Sequence, residues 1–457
     1  MNFDVSGQQV VVVGAGRSGR AAAELLRSRG ALVTLADSGA VVEGSDELQR
    51  LGIRVMTGTH SDTLFTTADL IVVSPGVPAS QPAIARARAA GVPVIGEVEL
   101  AYRWLRGRVI AITGTKGKST TTTLTARMLR EGGIDATAGG NLGVALSSLV
   151  DAATSASVHV VEVSSFQLET IDSFHPWISV FVNLSPDHLD RHGSFDEYRE
   201  AKAAVFRNQG PDDWAVINAD DPGVLELARA AQARHFSFAL DAPVEQGVTV
   251  EGGFVVERRD GVSRRVMAVE AVQVRGRHVL ADVLAATAAS LLAGVDPSAI
   301  DRAVRGFQGL EHALERVARI GGVEFINDSK ATNVVSTRRA IESFERGVVP
   351  ILGGRYKGGA FEDLRDSLGS RAAGVVLLGE AADRIEAALS GVVPIARAAS
   401  MDEAVALAFG MAPADGAVLL APACSSFDMF SDYAARGRAF RAAVEHLKLQ
   451  EPAGRRG

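Results

Sequence analysis

Lys118 and Ser119 stand near the end of Thr113-Gly-Thr-Lys-Gly-Lys-Ser-Thr120, a turn that follows the apolar run Val109-Ile-Ala-Ile112. Beyond it, Thr123, Leu124, Met128 and Leu129 of the segment 121–130 form a helical stripe. Strand, glycine turn and helix in this order make a phosphate cradle. The glycines let backbone N–H groups face an anion, and the helix N-terminus adds partial positive charge. Lys118 would reach the β- and γ-phosphates and Ser119 would ligate Mg²⁺. The common spacing Gly-x-x-x-x-Gly-Lys-Ser would need glycine at 112, where the chain has Ile112, and the first glycine comes two residues later. The loop residues Gly114, Thr115, Lys116, Gly117, Lys118, Ser119 and Thr120 still read as a site for ATP or GTP.

A second glycine turn lies near the start. The apolar run 9–13 leads into Gly14-Ala15-Gly16-Arg17-Ser18-Gly19 and a helix through Arg20 to Arg29, and Asp37 ends the next strand where an acidic residue would bind a ribose. A nicotinamide-dependent oxidoreductase is the rival reading this creates. Against it, the strand 70–73 ends in Ser74-Pro-Gly76-Val-Pro78 and the α/β pattern restarts by Glu97, leaving little chain for a full dinucleotide fold. One nucleotide here and another at the second turn is the simpler account.

Further along, Gly139-Gly-Asn141-Leu-Gly143 could present Asn141 to a ligand. The apolar strand 158–163 carries Glu162, a costly place for a carboxylate unless it is paired or binds a metal, and Mg²⁺ is the favoured reading. The strand 178–184 ends in Ser185-Pro-Asp-His188-Leu-Asp-Arg-His192, and the helix 194–207 holds Lys202 among alanines. His192, Asp220 and Asp221 read as turn and cap residues. Short alternating segments with glycine turns between 234 and 275 predict a small antiparallel appendage, and 280–292 an Ala-rich helix. After a glycine hinge at 306–309, four strands end in polar or glycine-rich turns at Asn327-Asp-Ser-Lys330, Gly353-Gly-Arg-Tyr-Lys357, Gly379 and Ala421-Pro-Ala-Cys-Ser-Ser426-Phe427-Asp428.

Length and composition set the frame for these loops. With 457 residues, 47% apolar and 22% charged, the chain reads as two or three globular domains. A net charge of -7 and an aromatic share of 5% speak against nucleic acid. One cysteine, Cys424, allows no internal disulfide, and no apolar run approaches a membrane span, so a soluble cytoplasmic protein without membrane insertion is expected. Of 47 basic residues only six are lysine, and Lys116, Lys118, Lys202, Lys330 and Lys357 fall in the stretches named here. Under a bias towards arginine, a lysine that remains points to a need for a compact ammonium.

Taken together, the stretches 113–120, 161–168, 183–191, 327–333, 353–358 and 422–428, with Lys202, resemble the Mur ligase family over nearly the whole chain. The glycine spacing at 114–119 matches that family's loop. Glu162-Val-Ser-Ser-Phe-Gln-Leu-Glu169, Asp328-Ser-Lys-Ala-Thr-Asn333 and Ala423-Cys-Ser-Ser-Phe-Asp428 are most similar to the member that adds D-glutamate to UDP-N-acetylmuramoyl-L-alanine. The resemblance implies an α/β protein of three domains: a Rossmann-like N-terminal domain (1–96) for the UDP substrate, a central phosphate-loop domain with the antiparallel appendage (97–309) for ATP and Mg²⁺, and a Rossmann-like C-terminal domain (310–457) for the amino acid.

Residue by residue, it implies that Lys118, His188, Lys202 and Lys330 serve catalysis. Ser119, Glu162, His188 and a carbamylated Lys202 would hold two Mg²⁺ ions. Asp282, His312 and Asp328 join the phosphate loop at ATP. Gly14, Ala15, Gly16, Arg17, Ser18, Asp37, Ser74, Gly76, Asn141 and His188 line the UDP-sugar side, and Thr332, Lys357, Ser426, Phe427 and Tyr433 surround the amino acid. Such an enzyme works as a monomer on small molecules. Three positions depart from the family pattern: Val279 and Asp282 replace asparagines, and Ala313 replaces an arginine, for which Arg316 is the candidate substitute. A relative using another amino acid such as L-glutamate, or a nucleotide-binding regulator without turnover, are the alternatives.

Overall fold

The computed structural model describes residues 3–42, 44–274, 276–356 and 358–450. The N-terminal strands are β1 Gln9–Val13, β2 Leu32–Asp37, β3 Arg54–Thr57, β4 Leu70–Val73 and β5 Val94–Gly96. All pair in parallel in the order β3-β2-β1-β4-β5. From β1 the chain builds towards β3, then returns to the other side at β4, so a crevice opens at the carboxyl ends of β1 and β4. The glycine turn 14–19 and Ser74 both lie there.

The central strands are β6 Arg108–Thr113, β7 Ala136–Gly140, β8 Val158–Glu162, β9 Ile178–Phe181, β10 Trp214–Asn218, β11 Arg234–Phe238, β12 Gly247–Glu251, β13 Phe254–Arg259 and β14 Val262–Ala268. They form one sheet, β14-β13-β12-β11-β10-β9-β6-β8-β7. The expected appendage is therefore an extension of this sheet: β11 and β12 join in parallel, and β13 alone is reversed, antiparallel to both β12 and β14. β6 sits between β8 and β9, which places Gly114, Glu162 and Asn183 at neighbouring strand ends. Apolar side chains of the middle strands explain the order: Val109, Ala111, Val161 and Phe181 are buried in one core with Phe174 and Phe206.

The first two sheets belong to one compact unit, 1–271 with 281–304. Leu25, Val98 and Ala101 enter the central core. Glu99, on the helix Glu97–Tyr102, is fully buried and takes N–H groups of Asp172, Ser173 and Phe174 at 2.8–3.0 Å, the Ser173 hydroxyl at 2.6 Å and the Arg103 guanidinium at 2.9 Å. Burial alone would raise its pKa, but these donors outweigh it and hold the carboxyl below its ordinary value. A charged clamp thus fastens the linker helix to the central domain.

The second unit comprises 272–280 and 305 onward. Its strands are β15 Glu315–Ile320, β16 Val323–Asn327, β17 Val348–Leu352, β18 Val375–Leu378, β19 Ile395–Ala398 and β20 Ala417–Leu420, ordered β15-β16-β20-β17-β18-β19. Only β15 is antiparallel to its neighbour. Two of these, β15 and β19, were not among the four expected strands; they are edge strands with mixed polar sequence.

Candidate active site

Gly114 and Gly117 hold the phosphate loop open at backbone angles that suit glycine, φ +150° and +81°. A Cβ at Gly114 would press on Asn183 at 3.2 Å, and one at Gly117 would run into the Asp282 carboxyl. The loop is laced to the end of β9. Thr115 N–H donates to Asn183 O at 2.9 Å, Lys116 N–H donates to Asn183 Oδ1 at 2.9 Å, and Asn183 Nδ2 donates back to Lys116 O at 2.9 Å. The Thr115 hydroxyl donates to Ser185 O and accepts from Ser185 N–H, both at 3.0 Å. Asn183 was not singled out in the sequence; its position directly after the β9 apolar run was the available signal.

Two ammonium groups converge on one oxygen: Lys118 Nζ donates to Gly114 O at 3.1 Å and Lys202 Nζ to the same atom at 2.7 Å. Lys202 is almost wholly buried, beside the Tyr198 ring at 4.9 Å. Burial, and then the charge of Lys118, push its pKa well below the ordinary 10.5. Tyr198 in turn sits 3.0 Å from the Thr115 hydroxyl, and burial raises its phenol to about 12.

Glu162 ends β8 as a buried carboxylate. Its Oε1 accepts from Asn141 Nδ2 at 2.7 Å, while Oε2 is buried with no hydrogen-bond partner. Such an acceptor costs about 1–3 kcal/mol, which an oxygen-seeking cation would offset, so the residues present fit Mg²⁺. Among the described residues no three His, Cys, Asp or Glu side chains cluster as a metal cage. Mg²⁺ is held by few protein groups together with substrate phosphates.

His188 has a left-handed backbone, φ +53°, and a half-exposed ring edge-on to Phe166 at 5.0 Å. Its neighbour Asp187 pairs with Lys116 at 3.2 Å; burial would raise this carboxyl, but Lys116 and His188 hold it below the ordinary value. His192 is buried between Ser165 and Glu169, each at 2.9 Å, and Asp221 caps the helix Pro222–Ala228, as their reading as structural residues expects. Asp282 is buried, and burial raises its carboxyl well above the ordinary 3.8 against the opposing charge of Lys118.

At the first glycine turn, Ser74 Oγ donates to Gly14 O at 2.8 Å, and Asp37 accepts from Ala15 N–H at 2.6 Å and Gly39 N–H at 2.8 Å. These two backbone donors hold the Asp37 carboxyl below its usual pKa. Asp37 thus braces the turn. Gly76 is unobstructed and Arg17 exposed on this face.

In the second unit, Lys330 N–H donates to His312 O at 2.9 Å, and Asp328 Oδ1 accepts from Leu314 N–H at 3.2 Å. Arg316 pairs on β15 with Glu324 at 3.5 Å. Arg436, which sequence reasoning missed, is buried and donates to Ser329 O and Oγ at 3.0 Å and to Cys424 O at 3.1 Å; burial lowers its pKa to about 10. Ser425 and Arg355 exchange backbone bonds at 2.9 and 3.0 Å. The loops carrying Thr332, Ser426, Phe427 and Tyr433 are therefore brought together, with Ser426 buried and the rings of Phe427 and Tyr433 exposed. Lys357 lies outside the described residues.

A glycine cradle, paired lysines and an unsatisfied carboxylate at one sheet edge define a nucleotide-dependent enzyme of the α/β class. Three family descriptions match the chain: Mur ligase MurD-like, N-terminal domain, at 8–96; Mur ligase middle domain at 112–290; and Mur ligase, glutamate ligase domain, at 314–424. The UDP-N-acetylmuramoylalanine--D-glutamate ligase of Acidobacterium capsulatum is 45% identical over 447 residues, 97% of each chain. That of Koribacter versatilis is 44% identical over 98% of this chain and 100% of its own. Among solved structures, the UDP-N-acetylmuramate-alanine ligase of Thermotoga maritima shares the fold at a TM-score of 0.60 and 21% identity, covering 97% of this chain and all of the other. The chain belongs to the Mur ligase family.

Burial raises the Asp328 carboxyl from 3.8 to about 7, so between these values the folded protein keeps a proton that the unfolded chain has lost. Stability therefore falls as pH rises through that window. Asp328→Asn keeps the acceptor for Leu314 and removes the titration. Urea midpoints at about pH 5 and about pH 8 should show wild type losing ground to the variant at the higher pH; parallel pH profiles would contradict the assignment.

Proposed function

We propose that this protein joins D-glutamate to UDP-N-acetylmuramoyl-L-alanine in the cytoplasm, using ATP, as a step in peptidoglycan precursor synthesis. The observation that carries the substrate assignment is identity of 41–45% over nearly the full length of several relatives named for that reaction. The described residues include no helix long and apolar enough to cross a membrane. The matched family regions at 8–96, 112–290 and 314–424 support domain limits of 1–96, 97–309 and 310–457.

The mechanism follows from a chemical constraint: a carboxylate resists amines until one oxygen becomes a good leaving group. ATP phosphorylates the L-alanyl carboxylate, the glutamate amine attacks the acyl phosphate, and the tetrahedral intermediate expels inorganic phosphate. The N–H groups and helix N-terminus of the 114–119 loop bind the triphosphate, and Lys118 leaves the Gly114 carbonyl to follow the γ-phosphoryl charge. Ser119, Glu162 and His188 would hold Mg²⁺, with carbamylated Lys202 for a second ion, and the bound ion would supply charge neutralisation for phosphoryl transfer. Asn141 fixes the Glu162 carboxylate. Asp328 and Lys330 act at the phosphates, Asp282 and His312 at the nucleotide. Gly14, Arg17, Ser18, Ser74 and Gly76 receive the uridine diphosphate, and Thr332, Lys357, Ser426, Phe427 and Tyr433 the amino acid.

Lys202 is suited to carbamylation because burial favours its neutral amine, the form that adds to CO₂ with loss of one proton. Stripping CO₂ at slightly acid pH should lower turnover and bicarbonate should restore it; indifference to CO₂ would leave Lys202 a plain amine. The reaction itself is tested by phosphate release from ATP with UDP-N-acetylmuramoyl-L-alanine and a panel of amino acids. Release is expected with D-glutamate and not L-glutamate. Preference for another amino acid would move the specificity, and no release with any would point to a regulator.

A further inference from the structure

His312 and Leu314, neither a glycine, both adopt left-handed backbone angles, φ +63° and +47°, in the strap ahead of β15. Strain of this kind, about 1–3 kcal/mol per residue, persists where the surroundings over-determine it. Here three neighbours do so. Glu315, itself buried, accepts the His312 N–H at 2.9 Å and pairs with Arg441. Gly437 has no Cβ because the His312 ring fills that space, with ring carbons 2.7 and 2.8 Å from where it would be. Asn327, wholly buried at the end of β16, places its amide nitrogen 2.9 Å from His312 Nδ1.

The orientation of that amide is fixed by its other neighbours. Asn327 Nδ2 also lies 3.1 Å from Glu315 Oε2 and 3.3 Å from Gly437 O, both pure acceptors, while Asn327 Oδ1 accepts from Ser329 N–H at 3.2 Å. A flipped amide would set oxygen against oxygen twice and face an N–H with an N–H₂ group. The amide nitrogen must point at His312, so Nδ1 must accept. We infer that Asn327 sets the tautomer of His312, holding a neutral ring with its proton on Nε2 as a fixed N–H donor to bound ATP. The donor role rests on the reading of His312 as a nucleotide contact. Burial also lowers the ring's pKa, with Glu311, Glu315 and Asp432 on one side of the charge balance and Arg438 and Arg441 on the other.

The full-length chain labelled with ¹⁵N-histidine tests this through one- and two-bond ¹H–¹⁵N correlations, with His312 assigned by signals lost in His312→Gln. Wild type should show an unprotonated Nδ1 and a protonated Nε2 between about pH 6 and about pH 8. Asn327→Asp replaces the donors by an acceptor and should put a proton on Nδ1. It should also raise KM for ATP about tenfold, the worth of one hydrogen bond to a charged group. An amide that only filled space would leave the ring's protonation pattern unmoved. A wild-type Nδ1–H ring, or an Asn327→Asp spectrum like wild type, overturns the inference, and the wild-type spectrum decides even where the variant fails to fold. If the tautomer is as assigned but His312→Gln leaves KM for ATP unchanged, the nucleotide contact falls and the ring assignment stands.

Discussion

The carbonyl oxygen of Gly114 holds the ammonium groups of both Lys118 and Lys202. Burial, and then the charge of Lys118, weaken the hold of Lys202 on its proton. The rest of the central domain keeps this arrangement in place. The sheet order puts β6 between β8 and β9, so the loop meets Glu162 on one side and Asn183 on the other. Asn183 zips the loop shut against β9, and the Tyr198 hydroxyl reaches the same loop through Thr115. The site is a cation-rich cradle with one unsatisfied buried carboxylate oxygen beside it, a distribution that calls for polyphosphate and a divalent ion together.

The two units solve the same problem differently. At the phosphate loop, glycines supply the unusual backbone angles at no steric cost. At the 312–314 strap the angles fall on a histidine and a leucine, and a dense network of Glu315, Asn327 and Arg441, with the ring seated over Gly437, holds them. Arg436 does comparable work on the loops that begin at Ser329 and Cys424, with backbone carbonyls and a hydroxyl as its acceptors.

Much of this was legible in the sequence because strand, turn and helix follow one another locally. β1 and β4 run over the very residues that the apolar patterns marked, and each chemically marked turn lies at a strand end. The edge strands β3, β15 and β19 were not, since strands paired on one side carry mixed side chains and lose the apolar signature. Asn183, Asn327 and Arg436 escaped for another reason. Their roles depend on partners 67, 15 and 107 residues away, a relation that no local pattern encodes.

The central claim is that Lys118 on its glycine loop transfers its hold from Gly114 to a phosphoryl group bound for a carboxylate. Positional isotope exchange in ATP labelled with ¹⁸O at the β,γ-bridge reads that step without the final amine attack. The account predicts exchange with wild type when UDP-N-acetylmuramoyl-L-alanine is present and D-glutamate absent, and none with Lys118→Ala, whose affinity for the UDP substrate stays near wild type. Exchange that persists in Lys118→Ala would contradict it.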